Sequence, residues 1–152
     1  MDRAATDYDA DFYTWTQEQA DALRRAADAR VNVPVDWHHL AEEVESLGSE
    51  QAYALQSALM RVMEHLLKLQ HSPAQEPRAG WQVSVVKHRR EAQRRLKRNP
   101  GLKGKLADLF AEAWTDARAL AAASLATYDG VDPETLPEEC PWPVEEVLGE
   151  RL

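Results

Sequence analysis

A single cysteine, Cys140, excludes an internal disulfide and suits a reducing compartment. Glycine is scarce, at six residues, and none of them lies in a Gly-rich phosphate loop. No Ser/His/Asp ordering or Cys pair supports hydrolytic or redox chemistry. Long apolar runs are also missing. The longest, 119–123 extended to Ala126, is broken by Ser124 and falls far short of the ~20 residues of a membrane span. No membrane partner is expected. Met1-Asp2-Arg3 is not a basic region followed by an apolar one, so no signal peptide is expected and the cytoplasm is the expected location. Strand-like alternation, internal repeats and low-complexity tracts are absent too.

What is present is an ordinary globular balance, 44% hydrophobic and 29% charged over 152 residues, enough for one domain burying roughly two-thirds of its unfolded surface. The charge is distributed unevenly. Between Trp81 and Lys105 stand nine cations (Lys87, Arg89, Arg90, Arg94, Arg95, Lys97, Arg98, Lys103 and Lys105) against one acid, Glu91. That stretch carries +8 in a chain of net −8, leaving −16 for the rest. Such segregation either faces an anionic partner or is neutralised by acidic helices of the same or a neighbouring subunit.

Helical periodicity organises the chain. After an acidic, aromatic arm (1–15), Thr16 with Gln19 forms a capping box for a helix over 17–30, with Ala20, Leu23 and Ala27 on one face. Asp36 caps a second helix, 37–47, whose apolar side is Trp37, Leu40, Ala41, Val44 and Leu47. Gly48 reads as a stop or kink, and a third helix follows over 50–70. Its arc of Leu55, Ala58, Leu59, Val62, Met63, Leu66 and Leu69 is widened by Met60 and Leu67, as in the central helix of a bundle. A fourth helix over 81–98 has a narrow seam of Trp81, Val85, His88, Ala92 and Leu96. A fifth over 100–127 starts on Asn99-Pro100 and builds its core face from Leu102, Leu106, Leu109, Phe110, Ala113, Trp114, Ala117, Leu120 and Ala121. The tail 129–152 ends in a short helix near 143–148. The expected fold is all-α, a five- to six-helix bundle in one domain.

Several of these segments carry a resemblance. Tyr8, Asp9, Asp11, Phe12, Tyr13, Trp15 and Thr16, then Leu40-Ala41-Glu42-Glu43-Val44-Glu45-Ser46-Leu47-Gly48, then His65-Leu66-Leu67-Lys68 resemble the bacterial family called domain of unknown function 29. Trp81 with its Arg-rich helix and Cys140-Pro141-Trp142 extend the similarity over nearly the whole chain. The departures are Trp142, where another aromatic is expected, and the loop 73–79. The resemblance implies a compact helical protein of cyanobacteria and proteobacteria. It implies no activity, cofactor or catalytic residue.

The candidate residues are few. Lys87, Arg90, Arg94, Lys97 and Arg98 project opposite the seam of the fourth helix and could bind an anionic partner. Nucleic acid would engage them through salt-sensitive phosphate contacts, but no aromatic on that face would stack bases. The preferred reading is pairing with acids of the first two helices, Asp21, Asp28, Glu42 and Glu43, within the chain or across a dimer. His38, Glu42 and Glu45 are a metal-site alternative on the second helix, which His65 and His88 could join, although the di-iron Glu-x-x-His signature is missing. Cys140 reads as a small apolar anchor, and Trp15, Trp37, Trp81, Trp114 and Trp142 as packing anchors. The functional expectation is a non-enzymatic interaction protein that binds a protein partner or itself. A nucleic-acid-binding module and a metal-binding bundle enzyme are the alternatives.

Overall fold

Asp11, rather than Thr16, opens the first helix. Its carboxylate accepts the Thr14 backbone N–H at 3.2 Å and the Thr14 hydroxyl at 2.7 Å, a charged cap that also complements the helix dipole. In the computed structural model, which describes residues 5–152, α1 therefore spans Phe12–Asp28. Thr16 is buried inside it and donates its hydroxyl to the Tyr13 carbonyl at 2.7 Å. Of the expected arm, residues 1–4 lie outside the described residues. The aromatics that follow dock on α1 itself, with Tyr8 edge-on to Phe12 and Trp15 at 5.3 and 4.9 Å.

Asp36 caps the next helix as expected, accepting the His39 backbone N–H at 3.3 Å. That helix, α2, is a single 35-residue element, Trp37–His71. The two helices expected over 37–47 and 50–70 are one, and Gly48 does not stop it. Glycine is required there for a different reason. A Cβ at Gly48 would overlap Thr16 Oγ1 and lie 3.0 Å from Gln17 Nε2. The bare backbone is where α1 crosses α2.

α2 is the axis of the bundle and packs against α1, α3 and α4. Leu55, Leu59, Val62, Met63 and Leu67 along its second half are wholly buried, each contributing on the order of 1.5–3 kcal/mol. This is the central helix expected from the wide apolar arc. Its first half differs from expectation. Ala41 and Gly48 face α1, whereas Leu40 and Leu47 remain 42% and 45% exposed.

α3, Arg78–Arg98, runs antiparallel to α2. Ser84 meets His65 at 2.9 Å at one end, and Arg95 and Asn99 donate to Gln51 Oε1 at 2.8 and 3.4 Å at the other. Its seam is as narrow as expected. Val85, Ala92 and Leu96 are buried, and Trp81 and His88 are half-buried. Pro100–Lys105 then forms a 3-10 turn before α4, Leu106–Asp129, in place of one helix over 100–127. This turn packs on the start of α1, where a Cβ at Gly101 would overlap Thr14 Oγ1.

α4 buries Leu106, Leu109, Ala113, Trp114, Ala117 and Ala121 and leaves Leu120 44% exposed, against expectation. It stops at Gly130 in the left-handed region, φ 64°. The tail is held by hydrogen bonds from Trp114 Nε1 to the Glu138 carbonyl at 2.9 Å and from Arg118 Nε to the Pro137 carbonyl at 2.8 Å. It ends in α5, Val144–Leu148, whose Val147 and Leu148 are fully buried. Among the described residues, no helix is long and apolar enough to cross a membrane.

Candidate functional site

At 100° per residue, Val83, Val86, Lys87, Arg90, Arg94 and Lys97 share one face of α3, away from the Val85–Ala92–Leu96 seam. All six are exposed, Val83 to 69% and Val86 to 55%. The face is apolar near its N-terminal end and cationic beyond it. Among the described residues, no acid lies within ion-pair distance of Lys87, Arg90, Arg94 or Lys97; on α3, Glu91 instead sits 4.0 Å from Arg95 and 3.4 Å from His88.

The acids expected to neutralise these cations within the chain are engaged elsewhere or stand free of them. Asp21 pairs with Arg24 at 3.5 Å, and Arg24 in turn holds Glu45 at 2.6 Å. Glu42 and Glu43 are exposed on α2. The physical reason is topological. α1 and the first half of α2 pack on each other at the end of the bundle reached only by the C-terminal tip of α3.

The cationic half of the face forms one wall of a cleft of about 950 Å³. Arg90, Arg94 and Lys97 line it together with Lys103 of the 3-10 turn and Arg151 of the tail, and Glu150 is the acid among its walls. The tail is held in place from α3. Arg89 Nε and Nη2 donate to the Val147 and Glu146 carbonyls at 3.1 and 2.9 Å, and Gln93 Nε2 to the Leu148 carbonyl at 2.7 Å. These bonds satisfy the open C-terminal carbonyls of α5, which ends at Gly149 with φ 72°. Arg98 leaves the face and places its guanidinium 5.3 Å from the centre of the Phe12 ring. Of the five cations singled out from sequence, three line the cleft, Lys87 stands beside it and Arg98 braces α1. Lys103 and Arg151 join the site through the turn and the tail, and no sequence periodicity points to either.

A family model described as Domain of unknown function DUF29 matches residues 8–152. The chain belongs to this family. Among solved structures it is similar to an alpha-helical protein of unknown function from Rhodospirillum rubrum, with 26% identity, a TM-score of 0.76, and coverage of 95% of this chain and 90% of that one. Among curated proteins nothing matches. Family membership and the neighbour establish the helical fold and bring no catalytic residue with them.

The remaining candidates do not assemble. His38 and Glu42 are exposed and Glu45 is tied to Arg24, so the residues of the metal-site alternative are not gathered around one point. Among the described residues, no three His, Cys, Asp or Glu side chains converge on a common centre. His65 does not approach His38. It meets the Ser84 hydroxyl through Nδ1 as an interhelical contact, and burial lowers its pKa. Neither residue lines the cleft. Cys140 Sγ lies 3.7 Å from Met63 Sδ, and burial pushes its thiol up, which keeps it an unreactive anchor of the tail. Trp114 finds its backbone partner, whereas Trp37 Nε1 is buried without one among the described residues.

Proposed function

We propose that the protein is an interaction module whose binding surface is the outer face of α3 and the cleft beside it, and whose partner is an acidic, apolar protein surface. The observation that carries the reading is the adjacency of exposed Val83 and Val86 to the cations Lys87, Arg90, Arg94 and Lys97, which pair with no acid among the described residues. A phosphodiester backbone offers cations a match but gives the valines none, and the face has no aromatic side chain on which bases could stack. A protein segment with leucines and glutamates one turn apart satisfies both halves at once. The single half-buried thiol agrees with work in a reducing cytoplasm.

The test is fluorescence anisotropy of two labelled probes: an amphipathic peptide with Leu and Glu on one helical face, and a single-stranded RNA oligonucleotide. The peptide is expected to bind, and R90E/R94E to weaken it by about 10-fold or more. Binding of the RNA with a steep salt dependence, and none of the peptide, would replace this reading with nucleic-acid recognition.

A further inference from the structure

α3 covers only part of the stripe on which it lies. At 100° per residue, Leu40, Val44, Leu47, Gln51, Ala58, Val62 and His65 fall on one line along α2. α3 occupies that line from His65 to Gln51 and stops at Asn99, where the chain turns through Pro100 towards α1. Beyond Gln51, among the described residues, the stripe is left open at Leu47 and Leu40, which are exposed beside the exposed Glu43 and Glu50, while Val44 between them is half-buried. The preceding loop adds Val31, Val33 and Val35, each 41–47% exposed.

The open stretch has the length and lining of a helix seat, apolar along its floor and acidic at its edge. The chain itself carries a complementary helix face, Val83 and Val86 followed by Lys87, Arg90, Arg94 and Lys97. The apolar ends of the two cannot meet within one molecule. Val83 and Val86 lie beside His65, and 25 residues of helix, roughly 37 Å, separate His65 from Leu40.

We propose that the occupant of the open α2 stripe is the outer face of α3 from a second copy of the chain, a contact that two copies can exchange reciprocally. The proposal rests on the reading of α3 as a protein-binding face and names its partner. Copies of net charge −8 repel one another at long range. Physiological salt screens that repulsion beyond about 8 Å, while opposed charges in contact are screened far less. The contact should therefore be weakest at both extremes of ionic strength, where repulsion is unscreened or the ion pairs are.

Sedimentation velocity on the full chain up to about 100 µM decides the matter, using wild type, R90E/R94E, E43R/E50R and the four-fold variant combining them. The expected result is a wild-type species of twice 17.2 kDa, lost in each charge reversal and restored when the two reversals are combined. A wild type that stays at 17.2 kDa overturns the proposal. So does association lost in R90E/R94E but untouched by E43R/E50R, or not restored in the combined variant. Binding of the Leu/Glu peptide to a chain that remains monomeric would leave the protein-binding reading standing and remove only the second copy.

Discussion

The two halves of α2 are built on different terms. From Leu55 to Leu67 the helix is enclosed by α3, α4 and the tail, and Leu55, Leu59, Val62, Met63 and Leu67 are wholly buried. From Trp37 to Gln51 it is met by α1 at Ala41 and Gly48, residues that bury almost no side chain, while its leucines face out. One half is held by area removed from water and the other by close backbone approach. Apolar periodicity runs unbroken through both. It therefore marks every surface that wants a partner without saying whether this chain supplies one.

The contrast can be tested from its largest expected effect downwards. Leu59→Ala removes a fully buried side chain from the enclosed half and should cost about 2–5 kcal/mol by urea denaturation. A cost under about 1 kcal/mol would mean the core at that level is loose. In the open half, Gly48→Ala should destabilise by about 1–3 kcal/mol, because the new Cβ meets Thr16 Oγ1 and Thr16 is itself buried. The opposite sign is the informative failure. Ala favours helix over Gly by about 1 kcal/mol, so a stabilised variant would show that the helices do not approach so closely.

Glu64 lies buried on the enclosed half, holding Lys68 Nζ at 2.9 Å and Arg61 Nη1 at 2.8 Å. Burial pushes its carboxyl up, but the hydrogen bonds from Lys68 and Arg61 outweigh that, and the net shift is downward from the ordinary 4.5. A lowered folded-state pKa stabilises the fold above the unfolded value, and that contribution fades as pH falls from about 4.5 through the folded value. Glu64→Gln should therefore cost about 1–2 kcal/mol near neutrality, with the gap to wild type closing below about pH 4.5 in pH-dependent melts. A gap constant with pH would place the loss in packing instead. Smallest of all, Leu47→Gln should change the stability of the dilute monomer by no more than about 0.5 kcal/mol. A cost like that of Leu59→Ala would show that the open stripe is closed within one chain.

Most of the architecture was legible because apolar stripes and caps are local. Asp36 and the seam of α3 stand where cap chemistry and periodicity put them, whereas Pro100 opens a 3-10 turn and the helix expected from it begins only at Leu106. The misses share a cause. Gly48 reads locally as a break, and only the crossing of α1 explains why a helix keeps it. Thr16 has cap chemistry, but Asp11 offers a charged alternative one turn earlier. Leu40, Leu47 and Leu120 are periodic yet exposed, because burial depends on where neighbouring elements end. At the site, the α3 cations were readable as a face. That no acid among the described residues pairs with them was not, since it follows from α1 packing at the far end of α2. Lys103 and Arg151 entered through a turn and a tail whose paths are set by Gly101 and by Arg89.

Side-chain footprinting with hydroxyl radicals, on the chain when dilute and when concentrated, bears most directly on the open stripe of α2 and the outer face of α3. Leu40, Leu47, Val83 and Val86 should be reactive in dilute solution and become protected together as concentration rises, while Leu120 and Tyr128, exposed elsewhere, keep their reactivity. Protection of Leu120 or Tyr128 with Leu40 and Val83 unchanged would contradict the account.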